Sequence, residues 1–321
     1  MKALGGPVRP GRGAEKPRSV PPHPPLHGAR AIHWGRLAVL CVVGLAGVGQ
    51  GCTPEGVDAR RRIDVGGGVG IDVWVIKSRP GTDGERPRDR GITAVLLHPL
   101  LTDKGWFLPL GRRLAADGWD VVLPDLRGHG DSGGRVTWGA MEKHDVVKVI
   151  DALVGEKLIR PRVYAMGASL GACVAVQYAA VEPACRGVLA LAPPTGVRGY
   201  VRCAWPLGTD EFIDARVRAE SERGGYDSGE ASAVEAAKKL KCPLIVVHGR
   251  LDTTVPYEQS KAVFDAAPRP KKMIRLWTDH GGVQMWRDEW LARQMATLPE
   301  MAGKTPQTRT STGTGANDRG S

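Results

Sequence analysis

No segment of this 321-residue chain repeats at a fixed period, which excludes a solenoid or propeller assembled from stacked units. Its six cysteines and eight histidines never stand at the spacing of a tetrahedral metal site, so no metal is expected, and nothing calls for a cofactor. Long hydrophobic runs are also lacking. The stretch Leu37 to Val48 falls short of the roughly 20 residues that cross a bilayer comfortably. Positive charge is in excess at +11, but residues 1–36 carry +6 of it and residues 301–321 carry +2. The body keeps only +3, so a basic face for nucleic acid is not expected.

What is present is organised around Arg162 to Ala180, RVYAMGASLGACVAVQYAA. The apolar run Val163 to Met166 meets Gly167-Ala168-Ser169-Leu170-Gly171, and an apolar, helix-compatible segment follows at once. Strand, sharp turn and helix in that order force the serine into a strained conformation, and the positions two residues either side of it must be small. Gly167 and Gly171 meet that demand, and the helix N-terminus brings free N–H groups beside the hydroxyl. Ser169 is the candidate nucleophile. Gly130-Asp131-Ser132-Gly133-Gly134 fits the same pattern and resembles the serine motif of chymotrypsin-like proteases. However, Ser132 follows a loop instead of a strand, no apolar helix comes next, and a tight structural loop is the expectation there.

Read in order, residues 53–68 form a linker and the segment Val69 to Ile76 a strand, followed by a polar turn region from Ser78 to Arg90. The continuous apolar runs Gly91 to Leu97, Trp119 to Leu123, Gly187 to Ala192 and Pro243 to Val247 read as strands buried on both faces, and Met273 to Trp277 as the last strand. Helices are expected over Trp106 to Asp117, around Val146 to Val154, after Ser169, after Pro256 and over Val283 to Met295. Residues from about 195 to 240 break the rhythm and form a short cap insertion. This alternation predicts a mostly parallel sheet flanked by helices over residues 69–300, with the functional loops at the carboxyl ends of the strands. Residues 301–321 are expected to be a disordered tail.

A serine hydroxyl needs a base, and the base needs a carboxylate that fixes its tautomer. In such a sheet they follow the order serine, acid, histidine. Downstream of Ser169 stand only His248 and His280, and His248 precedes its loop acid. His280, in Thr278-Asp279-His280-Gly281-Gly282, is therefore the candidate base, with the two glycines expected to let its loop fold back. Asp252 is the candidate acid, ahead of Asp210, Glu211 and Asp214 in the irregular segment, while Asp279 is expected to serve its own loop. The oxyanion donors should be the N–H of Leu170 and that of Leu100, because Pro99 has none. Trp106, Phe107, Trp138 and Trp205 are candidates for an acyl pocket, with plain core packing as the alternative.

The chain resembles the α/β-hydrolase superfamily over roughly Ile71 to Leu298. The likeness rests on His98-Pro99-Leu100, on Pro124 to Ser132 (PDLRGHGDS), on the elbow at Ser169, on Leu251 to Pro256 (LDTTVP) and on Asp279-His280-Gly281. Its general look is similar to the monoacylglycerol-lipase and serine-aminopeptidase-like branch, with Pro99 where that family usually has Gly. The resemblance implies the α/β-hydrolase fold and a serine hydrolase acting on a small-molecule carboxylic ester through an acyl-enzyme. It also implies a structural loop over Arg127 to Ser132, with His129 and His144 as hydrogen-bonded structural histidines. A peptidase, an acyltransferase with the same triad, and a non-catalytic surface lipoprotein that kept the fold are the alternatives.

Residues 1–52 read as a leader: a basic segment, the apolar run Leu37 to Val48 and the small residues up to Gly51. Cys52 after Gly51 resembles a bacterial lipoprotein processing site, which implies export and a lipid anchor at Cys52 in the cell envelope, with secretion as the other outcome. In an exported chain Cys185 and Cys203 are a candidate disulfide pair, with the connectivity open.

Overall fold

The computed structural model describes residues 53–79 and 89–303. The leader with Cys52, part of the turn region after Ser78 and most of the tail lie outside the described residues. Among the described residues no helix is long and apolar enough to cross a membrane.

Eight strands form one sheet: β1 (Ala59–Asp64), β2 (Gly70–Ile76), β3 (Ile92–Leu97), β4 (Trp119–Pro124), β5 (Val163–Ala168), β6 (Cys185–Leu191), β7 (Leu244–Gly249) and β8 (Lys271–Leu276). Their spatial order is β1-β2-β4-β3-β5-β6-β7-β8. β1 and β2, and β2 and β4, pair antiparallel; every later pair is parallel. Burial on both faces explains why β3, β4, β5 and β7 read as unbroken apolar runs. Alternate residues feed two cores. Val95 and Leu97 pack with α2 (Glu142–Gly155) and α3 (Leu170–Val181), whereas Ala94 and Leu96 pack with α1 (Leu108–Ala116) and α9 (Asp288–Gly303).

β1 corrects the expected linker, since residues 59–64 are an edge strand of the sheet. Its sequence ARRRID shows no apolar alternation because charge holds it in place. Arg60 pairs with Asp72 and Asp131, Arg61 with Glu156, and Arg62 donates to the Asp131 carbonyl at 2.6 Å. Such an edge offers little to a foreign strand. The tail is corrected too, because α9 runs through residue 303.

The cap region is helical instead of irregular: α4 (Val197–Ala204), α5 (Asp210–Gly224), a 3₁₀ turn at Ser228–Glu230 and α6 (Ala233–Ala237). α5 buries only Ile213, Val217 and Ser221, a stripe too thin to stand out. Its ends carry the usual signals, with Thr209 Oγ1 accepting from Phe212 N and Gly225 left-handed at the C-terminus. α6 packs on α3 and on α7 (Tyr257–Ala266) and belongs to the body, which shortens the cap.

From β3 the chain moves to β4 on one side and returns to β5 on the other. This reversal opens a crevice at the carboxyl ends of β3 and β5. Leu97 pairs with Gly167 there, so the His98 loop and the Ser169 turn lie side by side. The approach is tight: a Cβ on Gly171 would come within 3.0 Å of the Leu97 carbonyl oxygen, and one on Gly167 equally near the Gly171 carbonyl. Gly171→Ala is expected to cost about 3 kcal/mol, read as a lower urea midpoint. An unchanged midpoint would contradict that close approach.

Candidate active site

Ser169 sits between β5 and α3 at φ 50°, ψ −114°, a region that side chains other than glycine rarely adopt. Its N–H donates to the Leu191 carbonyl at 2.8 Å, and its own carbonyl accepts from Cys173 N at 3.0 Å. Both bonds hold the strained turn. The side chain stands half-buried with its oxygen 3.2 Å from Nε2 of His280.

His280 opens α8 (His280–Gln284), whose first turn is capped by Asp279: Oδ1 accepts from Gly282 N at 2.7 Å. Asp279 thus serves its own loop, as expected. Of the two following glycines only Gly282 is sterically required, since a Cβ there would strike Thr278 Oγ1 while Gly281 has room. His280 Nδ1 lies 2.7 Å from Oδ2 of Asp252. A carboxylate only accepts, so Nδ1 carries the proton and Nε2 presents its lone pair to the serine.

The Asp252 side chain is fully buried in the loop after β7, and its Oδ1 accepts N–H bonds from Thr254 and Val255, both at 2.9 Å. The acids set behind it lie elsewhere. Asp210 and Asp214 pair with Arg198 on the cap, and Glu211 stands in the first turn of α5. The structure therefore brings Ser169, His280 and Asp252 into one hydrogen-bonded chain.

The two residues expected to supply the oxyanion donors stand at adjoining strand ends, Leu170 after β5 and Leu100 after β3, where Leu97 pairs with Gly167. Leu170 is the first residue of α3, where an N–H has no intrahelical partner. Leu100 follows a proline whose carbonyl is pinned from behind. His98 Nε2 accepts from Leu126 N at 2.9 Å, so Nδ1 holds the ring proton and donates it to the Pro99 carbonyl at 2.8 Å. Thr102 Oγ1 donates to the same carbonyl at 2.8 Å. In a trans peptide C=O and N–H point oppositely, so the pinned carbonyl turns the Leu100 N–H the other way. Burial drives the His98 pKa down to about 3, which keeps this tautomer neutral across the working range. Sequence reasoning placed this loop but missed its two supports. Thr102, three residues beyond Pro99, was the available signal.

The aromatic candidates divide. Phe107 is 3% exposed and packs in the core beside α1 and α9, which corrects its assignment as a pocket residue. Trp106 is half-buried against the same core. Trp138 is buried at φ 58°, its ring stacked on Tyr200 of α4 at 4.1 Å. Trp205 stays on the cap, edge-on to Phe212 at 6.0 Å with Arg216 over its face.

Ser132 is structural: its hydroxyl donates to the Asp125 carbonyl and accepts from Asp72 N, both at 2.8 Å. His129 lies buried with Nδ1 3.1 Å from the Arg127 carbonyl and its ring against His98. His144 departs from expectation, being exposed on α2. The candidate pair Cys185 and Cys203 is corrected as well. Both are free thiols: the buried Cys185 Sγ donates to the Gly187 carbonyl at 3.6 Å, while Cys203 lies 2.8 Å from Gln259 Nε2.

One trio of acids among the described residues, Asp72, Asp125 and Asp131, has donor oxygens close enough for a cation. The Lys104 ammonium already stands there, 3.0, 2.6 and 2.9 Å from the three carboxylates. Those carboxylates raise the Lys104 pKa against the opposing effect of burial. The trio is a largely buried ion cluster, with Asp131 at its partly exposed edge.

Residues 93–218 match a sequence profile of the α/β-hydrolase fold. An uncharacterised Bacillus subtilis protein, YqkD, is 27% identical over 173 residues, covering 49% of this chain and 53% of that one. The chain thus spans about half the length of this curated relative. Among solved structures, the Pyrococcus furiosus esterase Pf2001 superposes with a TM-score of 0.56 at 22% identity, covering 76% of this chain and 93% of the esterase. The α/β hydrolase GrgF from a Penicillium species gives 0.57 at 15% identity over 76% and 98% of the two chains. A thioesterase domain from the curacin biosynthetic pathway gives 0.51 at 19% identity over 74% and 99%.

Proposed function

This chain is an α/β-hydrolase-fold protein, and on that premise we propose that it is a serine hydrolase cleaving carboxylic esters of modest size through an acyl-enzyme. The observation that carries the reading is the chain Ser169 Oγ, His280 Nε2 at 3.2 Å, and His280 Nδ1 to Asp252 at 2.7 Å. In this mechanism Ser169 Oγ attacks the ester carbonyl while His280 Nε2 takes its proton. Asp252 stabilises the imidazolium that forms. The N–H groups of Leu170 and Leu100 receive the charge on the carbonyl oxygen. His280 then protonates the departing alcohol, and water repeats the sequence to free the acid.

An apolar substrate is supported by the side chains that the loops bearing these groups expose to solvent. Leu101 is 89% exposed, Leu251 57%, Trp277 75% and Met285 61%, surface that an aqueous loop gains nothing by displaying. An esterase and a thioesterase domain among the structures it resembles agree with acyl transfer from oxygen or sulfur.

The test is a panel of p-nitrophenyl esters of increasing chain length, acyl thioesters and aminoacyl amides. Short and medium esters should be turned over best, with amides slower by at least about 100-fold, on the order of one specific transition-state interaction. Preference for the amides would replace the reading with a peptidase. Acyl transfer to an added alcohol that outruns hydrolysis would replace it with an acyltransferase.

A further inference from the structure

His248, in β7, was set aside as a base because it precedes Asp252 in the chain; the structure brings it against that acid from the far side. Its Nδ1 lies 2.8 Å from Ser260 Oγ on α7, and that hydroxyl donates its one proton to the Pro193 carbonyl at 3.0 Å. Ser260 can therefore only accept from the ring, so His248 carries its proton on Nδ1 and a bare lone pair on Nε2. The residue is 1% exposed, and Nε2 has no hydrogen-bond partner among the described residues. That orphaned atom lies 3.8 Å from Oδ2 of Asp252, beyond hydrogen-bond length.

A carboxylate offers about four acceptor positions. Thr254 N and Val255 N take two on Oδ1, and His280 Nδ1 takes one on Oδ2. The vacant one belongs to the oxygen that His248 approaches. We propose that His248 is a positioning residue for Asp252: neutral, it leaves Oδ2 to His280; protonated, it donates Nε2–H to the same oxygen and draws the carboxylate away from His280. The proposal rests on the serine-hydrolase reading above.

The groups facing His248 set the direction of its titration. Asp252 from its own loop and Glu258 from α7 favour the imidazolium, whereas Arg275 from β8 and His280 from α8 oppose it. The Tyr257 ring of α7 lies edge-on at 5.5 Å with Arg275 over its face. Burial outweighs the attraction of the acids and holds the proton affinity of His248 below the ordinary histidine range. The ring is neutral at neutral pH and takes its proton only in acid, after which the site has lost its carboxylate.

Two measurements on the full chain test this. In imidazole NMR titrations His280 should show a second inflection that reports His248, because coupled groups titrate as a pair. That inflection should vanish in His248→Asn, whose amide can still donate to Ser260 but has no group aimed at Asp252. In kcat/KM profiles the acid limb should be steeper in the wild type than in His248→Asn. His248→Gln, with a longer amide that reaches Asp252 at every pH, should lower kcat about tenfold relative to His248→Asn with KM little changed, the signature of a lost transition-state interaction. Thermal melts of both variants monitor folding. A single-step His280 titration, identical in wild type and His248→Asn, overturns the proposal. The NMR readout needs no turnover, so failure of the ester panel would remove the hydrolase reading and still leave this pairing decided.

Discussion

Ser169→Ala should abolish ester turnover, with kcat falling by about 10⁴- to 10⁶-fold, and should remove labelling by a fluorophosphonate. The size of the loss follows from the geometry. His280 Nε2 has the Ser169 hydroxyl at 3.2 Å as its partner, so without Oγ neither the covalent route nor the primed proton transfer exists. Under the proposed mechanism the residual rate comes from polarisation of the carbonyl by the N–H groups of Leu170 and Leu100, worth about 10³-fold over water. KM should change little, because Oγ bonds covalently in the transition state and contributes little to ground-state binding. The fold should persist. Alanine keeps the Cβ that the strained φ of 50° already accommodates, and the bonds to Leu191 and Cys173 use backbone atoms alone. A variant that melts like the wild type and still labels or turns over at wild-type rates would refute the nucleophile.

Lys104→Met should be the most damaging single change to stability, at about 3–5 kcal/mol near neutral pH, read from urea denaturation. Lys104 is buried, and Asp125, Asp131 and Asp72 surround its ammonium at 2.6 to 3.0 Å. Removing the cation leaves Arg60 alone to face Asp72 and Asp131, and Asp125 is then held only by the N–H groups of Lys104 and Asp131. The pH dependence has a definite sign. The Lys104 pKa is raised, so its stabilisation is complete below the ordinary lysine value and is lost only as pH rises through the higher folded one. The Asp131 carboxyl is held below its usual range, chiefly by the hydrogen bond from Lys104, so its contribution is present above the ordinary aspartate value and lost as pH falls through the lower one. In the variant only the weaker pull of Arg60 and Arg62 on Asp131 remains, and burial, which already pushes Asp125 upward, governs the cluster. The variant should therefore gain more stability than the wild type as pH falls from neutrality into the acid range. A stability difference that stays constant with pH would exclude this account.

How much could be read from the chain depended on whether a residue's constraint was local. β3, β4, β5 and β7 stood out because strands covered on both faces must be apolar throughout. β1 did not, because an edge strand pinned by three arginines carries no periodic signal. β8 begins two residues earlier than expected, since Lys271 and Lys272 at its start are edge residues. The short stripe of α5 was lost among charges that serve the cap's own ion pairs. Phe107 looked like a pocket residue because composition cannot say which face of a helix meets the core.

The sequence alone determined the turn at Ser169, because a strained backbone between a strand and a helix excludes side chains at Gly167 and Gly171 whatever the rest of the molecule does. It also determined the chain order of serine, acid and histidine, since each follows its own strand. Only the tertiary structure decided that these groups touch across 28 and 111 residues of chain, that His98 is neutral with its proton on Nδ1, and that Lys104 and His248 are buried against aspartates. Local sterics act between residues a few positions apart and leave a pattern at fixed spacing. Contacts between strand ends depend on the order in which the strands pair, and a linear pattern does not record that order.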